Sequence, residues 1–91
     1  MNKKQIVPIL ANKKCLYHIL CAIDFYIKKG KTVITIADVQ NFIEGYTFKD
    51  LCDNACSLIS NGYVSGKYNS SLRNVEMYGI TEKGQAYFDE L

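Results

Sequence analysis

The hydrophobic positions in the first third of the chain recur at helical spacing. Within the stretch NKKCLYHILCAIDFYIKKGK, these positions are Leu16, Ile19, Leu20, Ile23 and Ile27. Residues three or four apart lie on one side of an α-helix, so the pattern predicts a helix with one buried face. Asn12 is suited to cap its start, and Lys29 followed by Gly30 suits its end.

A short strand and a second helix follow. Residues 32–36 are rich in β-branched side chains, which favours a strand. Thr35 and Asp38 then have the spacing of a capping box, in which two side chains satisfy free amide groups at a helix start. The apolar residues of this helix are Ile36, Val39, Phe42 and Ile43. Gly45 is expected to end the element.

The same Thr-x-x-Asp start recurs at Thr47 and Asp50 and predicts a third helix. Its apolar face comprises Phe48, Leu51, Ala55, Leu58 and Ile59. An Asn-Gly pair ending at Gly62 is typical of a helix stop. Because only Gly45 and Tyr46 separate the second and third helices, they form a helix-turn-helix pattern.

After Gly62 the apolar period changes from helical to alternating. Residues 63–68 (YVSGKY) and 73–80 (RNVEMYGI) are predicted to be strands, with residues 69–72 (NSSL) as the tip of a hairpin. Thr81 then caps a last helix, which has Gly84 in its first turn. A glycine there allows another backbone to pass close by. The apolar side of this helix comprises Ala86, Tyr87, Phe88 and Leu91.

Size, composition and charge narrow the class of protein. A chain of 91 residues, 48% hydrophobic and 22% charged, is expected to form one globular domain, with residues 1–13 as an N-terminal arm. We expect no signal peptide and no membrane span, and the four cysteines indicate reduced thiols in a cytoplasmic protein. The net charge of +2 is uneven. Residues 1–31 hold seven lysines against one acid, whereas residues 32–91 hold four cations against eight acids.

Two stretches carry a resemblance to a known family. LISNGYV, at residues 58–64, ends the third helix, and ITEKG, at residues 80–84, joins the second hairpin strand to the last helix. In this order around a hairpin they resemble the winged helix-turn-helix domains of MarR-like and PadR-like regulators, over residues 14–91. The matching residues are Leu58, Gly62, Tyr63, Val64, Ile80, Thr81 and Gly84. The resemblance implies an α+β winged-helix fold with a three-helix core, a β-hairpin wing and a short C-terminal helix.

The same resemblance implies a transcriptional regulator that binds double-stranded DNA. Its third helix, the recognition helix, would enter the major groove, and the tip of the wing would lie along a minor groove or the backbone. The residues expected to contact DNA are Lys49, Asn54 and Ser57 from the recognition helix and Lys67, Asn69, Ser70 and Arg73 from the wing.

The charge of the recognition helix leaves a second interpretation open. Asp50 and Asp53 are expected on its outward face, where they would oppose the phosphates. DNA-binding helices are ordinarily more basic than this. The alternative is a winged-helix module that binds another protein and does not bind DNA.

A second apolar stripe runs along the first helix, roughly opposite its buried face, and comprises Tyr17, Cys21 and Phe25. A helix that is apolar on two sides usually packs on both. We expect this stripe to form a homodimer interface, which would also pair two recognition helices. The alternative is that the apolar segment Ile6–Leu10 of the same chain covers it.

The thiols and the one histidine are the remaining candidates for chemistry. They are Cys15, His18 and Cys21 in the first helix and Cys52 and Cys56 in the third. None has the C-x-x-C spacing of a strong metal signal, so we expect no metal and no cofactor, with a metal or redox sensor as a minor alternative. Cys56, at the edge of the apolar face, is the thiol most expected to be exposed. We find no catalytic motif and expect no enzymatic activity.

Overall fold

The structure is a computed structural model that describes residues 13–69 and 74–91. Its class is α+β, and the predicted order of elements is confirmed in this part of the chain. The helices are α1 (Lys13–Lys28), α2 (Ile36–Phe42), α3 (Phe48–Ser60) and α4 (Glu82–Glu90). The strands are β1 (Ile34–Thr35), β2 (Val64–Asn69) and β3 (Asn74–Ile80). None of the helices described is long and apolar enough to cross a membrane.

The three strands form one antiparallel sheet in the order β1-β3-β2. The middle strand places Met77 opposite Ile34 of β1, and Glu76 opposite Lys67 of β2. Between β2 and β3 the register shifts, which leaves Tyr78 as an extra residue in β3. An extra residue of this kind is a β-bulge, which bends its strand and redirects a side chain.

The core lies between the sheet and the first three helices. Its largest fully buried side chains are Leu16, Ile19, Leu20, Ile23, Ile34, Val39, Leu51, Leu58, Val64 and Met77. The predicted buried faces of α1 and α3 are therefore confirmed at their centres. The removal of such apolar side chains from water into a close-packed interior is the main favourable contribution to folding.

The prediction of buried apolar faces is wrong at the ends of the helices. Ile27, Phe42 and Phe48 are exposed, although each continues the apolar pattern of its helix. Each lies in a terminal turn, where fewer neighbouring elements surround the helix. Two residues predicted on the apolar side of α4, Ala86 and Leu91, are exposed as well. The predicted strand at residues 32–36 is reduced to Ile34–Thr35.

Three threonines start helices as predicted. Thr35 and Asp38 form a reciprocal capping box, with the Asp38 amide donating to the Thr35 hydroxyl over 3.3 Å. Thr47 accepts from the Asp50 amide at 3.0 Å, and Thr81 accepts from the Gly84 amide at 2.9 Å. The predicted cap at Asn12 lies outside the described residues.

The predicted stop of α3 is confirmed at Gly62, which has a positive φ of 79°. The Tyr63 amide donates to the Leu58 carbonyl at 2.9 Å, and the Gly62 amide donates to the Ile59 carbonyl at 3.0 Å. These two bonds are those of a Schellman motif, in which a left-handed residue lets the last carbonyls of a helix find donors.

Candidate nucleic-acid interface

The outward face of α3 carries a closed ion pair. The ammonium of Lys49 lies 2.8 Å from the carboxylate of Asp53, one turn further along the helix, and both side chains are mostly exposed to solvent. Asp50, beside them, is also exposed. The lysine predicted to contact DNA from this helix is therefore at the surface, but its ammonium forms an ion pair with a carboxylate of the same helix.

The predicted DNA contact by Asn54 is wrong, because its side chain is buried, with 6% of its surface exposed. Its amide nitrogen donates to the Asp50 carbonyl at 2.8 Å, and its Oδ1 has no hydrogen-bond partner among the described residues. Asn54 lies three residues after Leu51 and four before Leu58, so helical geometry places it with the apolar face. That spacing was readable in the sequence, where its polar side chain alone suggested the surface.

Ser57 is half-buried and belongs to the end of α3. The side-chain amide of Asn61 donates to the Ser57 carbonyl at 2.8 Å and to its hydroxyl at 3.3 Å. A hydroxyl held in this way keeps a lone pair and a hydrogen available, since it can both accept and donate. DNA contact by Ser57 stays a prediction.

The hairpin places its polar residues on two facing strands. Lys67 of β2 and Glu76 of β3 lie opposite each other, with 3.9 Å between the ammonium and the carboxylate. Asn69 lies opposite Asn74 and belongs to β2, so it ends the strand instead of starting the tip. The predicted contacts Ser70 and Arg73 lie outside the described residues.

Two cavities lie beside the hairpin, and one of them also includes the starts of α2 and α3. One, of about 330 Å³, is lined by Lys67, Tyr68, Asn69, Asn74 and Glu76. The other, of about 200 Å³, is lined by Thr35, Ile36, Ala37, Phe48, Asn74 and Val75. Asn74, which pairs with Asn69 next to the tip of the hairpin, lines both cavities, so the tip end of the hairpin lies beside the first turns of both helices.

The end of α3 is fixed to the start of α4 by hydrogen bonds from Thr81 to backbone carbonyls. The Thr81 hydroxyl donates to the Gly62 carbonyl at 2.6 Å, and the Thr81 amide donates to the Tyr63 carbonyl at 3.0 Å. Gly84 is buried, and a Cβ atom at this position would collide with the Tyr63 carbonyl. The close backbone approach predicted at Gly84 is therefore confirmed.

Side chains complete this junction. The ammonium of Lys83 donates to the Asn61 carbonyl at 2.9 Å and lies 5.1 Å from the centre of the Tyr63 ring. The rings of Tyr63 and Tyr87 stack with centres 4.4 Å apart. A cation at a helix C-terminus is favourable because the free carbonyls there carry partial negative charge. The stretches LISNGYV and ITEKG are thus two halves of one contact that holds α3.

The second stripe of α1 lies at the surface, as predicted. Tyr17 and Phe25 are each about two-fifths exposed and Cys21 is half-buried. Other elements flank the stripe: the ring of Tyr17 lies 5.7 Å from that of Phe88 in α4, and the ring of Phe25 lies 5.1 Å from that of Phe42 in α2. The alternative covering segment, Ile6–Leu10, lies outside the described residues.

The thiols are arranged in two degrees of burial. Cys15 and Cys52 are buried, whereas Cys21 and Cys56 are both half-buried. Cys56 therefore does not stand out as the exposed thiol, because Cys21 has the same degree of burial. Burial raises the pKa of the Cys15 thiol to about 11 and also raises the pKa of Cys56. A raised pKa lowers the thiolate fraction and with it the reactivity towards oxidants.

His18 contacts a tyrosine of the segment between α2 and α3. The Nδ1 atom of His18 lies 3.1 Å from the hydroxyl of Tyr46, which joins α1 to the turn before α3. Residues 13–69 and 74–91 contain no group of three His, Cys, Asp or Glu side chains placed to hold a metal ion.

Comparisons with protein-family models, curated proteins and solved structures find no match to this chain. Its function therefore has to be inferred from its own fold and surface. The sheet order β1-β3-β2, the cavity between the hairpin and two helix starts, and the charges beside it are the features that bear on function.

Proposed function

We propose that this protein is a small winged-helix DNA-binding protein that acts as a transcriptional regulator in the cytoplasm. The order of its elements and the central position of β3 support a winged helix, with α3 as the recognition helix and β2–β3 as the wing. The observation that carries the proposal is the cavity surface at which Asn74 and Val75, at the tip end of the wing, lie beside the starts of α2 and α3. A duplex lying on that surface would meet the recognition helix and the wing together.

The charges indicate which of these elements would attract the DNA phosphates. Lys67 and Asn69 of the wing, together with Arg73 beyond the described residues, would contact the backbone. Lys49 and Ser57 would approach from α3, but the Lys49 charge is engaged by Asp53. The wing and the lysine-rich first third of the chain would therefore provide most of the attraction for phosphates.

The proposal is tested by titrating a labelled random-sequence duplex with the protein at low and at physiological salt. We expect retardation at low salt and a steep loss of affinity as salt rises, because each phosphate contact releases counterions. If no duplex is retarded at low salt, the DNA-binding proposal is wrong.

A second candidate is a winged-helix module that binds another protein. The Lys49–Asp53 pair and the exposed Asp50 favour it, because together they leave one net negative charge on the outward face of α3. A basic protein surface would complement that face better than DNA does. The two candidates are separated by the duplex titration, since only the first predicts retardation.

We also propose that the protein is a homodimer that associates through Tyr17, Cys21 and Phe25. The exposed apolar surface of Tyr17 and Phe25 on one side of α1 supports this. In the two-fold symmetric arrangement usual for DNA-binding dimers, each copy would present one recognition helix to one half-site.

A further inference from the structure

The outer side of the wing pairs a cation with an acid. Lys67 and Glu76 are cross-strand neighbours in β2 and β3, and their charged groups are 3.9 Å apart. The Lys67 side chain is 73% exposed, whereas that of Glu76 is 35% exposed. The lysine is thus free to move towards a ligand, while the carboxylate is more firmly enclosed.

Tyr78 holds the same carboxylate. It is the extra residue at the bulge of β3, and its hydroxyl donates to Oε1 of Glu76 at 2.9 Å. This hydrogen bond raises the pKa of the Tyr78 hydroxyl. The bulge therefore contributes a donor that fixes Glu76 on the side that faces Lys67.

A phosphate and Glu76 would compete for the same ammonium. A lysine that contacts a phosphate gains by releasing counterions from the DNA. Lys67 already has a carboxylate beside it, so part of that gain is lost when the internal pair opens. An exposed pair of this kind is worth about 0.2–1 kcal/mol, which corresponds to a factor of about 1.4 to 5 in affinity.

We propose that Glu76, fixed by Tyr78, is a positioning residue that competes with the DNA backbone for Lys67. This competition lowers the affinity of the wing for any duplex. This inference rests on the proposed DNA binding and adds a residue that tunes it. Its consequence is that the wing contributes less to sequence-independent binding than its lysine alone would suggest.

The test compares wild type, Glu76→Gln and the control Glu82→Gln by duplex titration at several salt concentrations. Both substitutions remove one negative charge, but Glu82 lies in the first turn of α4, outside the wing. We expect Glu76→Gln to bind about 1.4- to fivefold more tightly at low salt, with a steeper salt dependence, and Glu82→Gln to change less. Tyr78→Phe, which frees the carboxylate, should change affinity in the same direction as Glu76→Gln by a smaller factor.

A double-mutant cycle with Lys67→Ala shows whether Glu76 acts through the lysine. The gain from Glu76→Gln should shrink when Lys67 is absent. If wild type binds DNA and the gain is the same with and without Lys67, or equals that of Glu82→Gln, the inference is wrong while the proposed function stands. If neither wild type nor any variant retards a duplex at low salt, the proposed function fails and this inference fails with it.

Discussion

At the scale of single residues, Gly84 shows how a backbone position can limit the side chain it accepts. It lies in the first turn of the last helix, where the Tyr63 carbonyl occupies the space that a Cβ would need. Asn54 shows the opposite case, a polar side chain drawn into the apolar face by its position between Leu51 and Leu58. In both, the neighbours in space decide which side chain fits, and the residue's own preference matters less.

Replacing Gly84 by alanine should destabilise the protein by about 1–3 kcal/mol, the usual cost of forcing extra atoms into a packed site. The backbone of Tyr63 would have to move away from the start of α4. The measurement is urea unfolding followed by circular dichroism. Gly79→Ala is the matched control, because the nearest atom to its new Cβ, the Ser65 hydroxyl oxygen, is 4.0 Å away. Equal stability of the two variants would contradict the prediction.

At the scale of elements, the last helix holds the end of α3 in place. Thr81 caps its own helix and also binds the carbonyl of Gly62 at the end of α3. Lys83 adds a bond to the Asn61 carbonyl. A helix of nine residues has little stability by itself, so its position depends on these contacts and on the Tyr63–Tyr87 stack.

Replacing Thr81 by valine keeps the shape of the side chain and removes both bonds of its hydroxyl. Loss of a helix cap costs about 0.5–2 kcal/mol, and loss of the bond to Gly62 adds to that. Thr47→Val is the control, because the bond shown for the Thr47 hydroxyl is the cap of α3. We expect the Thr81 variant to lose more stability in thermal unfolding and to exchange the amide hydrogens of α4 faster. A smaller loss than for Thr47→Val would argue against a junction role for Thr81.

At the scale of the whole molecule, positive and negative charges are separated along the chain, and an apolar stripe lies within the positive part. The lysines concentrate before residue 32, the acids concentrate after it, and the stripe of Tyr17 and Phe25 runs along α1. Under the proposed function, the wing and the first third of the chain attract DNA, and the stripe joins two copies.

Replacing both Lys67 and Arg73 by alanine should weaken binding to every duplex and lower the slope of log affinity against log salt by about 2. The reason is that two backbone contacts, each releasing about one counterion, are lost together. Duplex titration at several salt concentrations measures this, with circular dichroism as the check on folding. An unchanged slope would show that the wing does not contact the backbone.

Phe25→Asp should dissociate the proposed homodimer, because an unpaired charge buried in an interface is costly. Light scattering across a range of concentrations measures the effect. Val33→Asp is the control, since Val33 is similarly exposed but lies outside the stripe on α1. Wild-type protein that stays monomeric at high concentration would rule out the dimer.

The order of elements, the helix starts at Thr35, Thr47 and Thr81, and the stop at Gly62 were determined by the sequence alone. The reason is that caps and periodic faces depend on residues within one turn of each other. The centre of each buried face follows from the same short-range rule. Exposure at the helix ends does not, because it depends on which other elements lie nearby, as at Ile27 and Phe48.

Only the tertiary structure decided how the charged residues are engaged. The spacing of Lys49 and Asp53 allowed an ion pair within one helix, but the Lys67–Glu76 pair depends on strand register and on the bulge at Tyr78. The docking of α4 onto α3 likewise joins residues about twenty positions apart. Such contacts form between segments that are distant in the chain, so their partners are set by packing and register, which local sequence patterns do not specify.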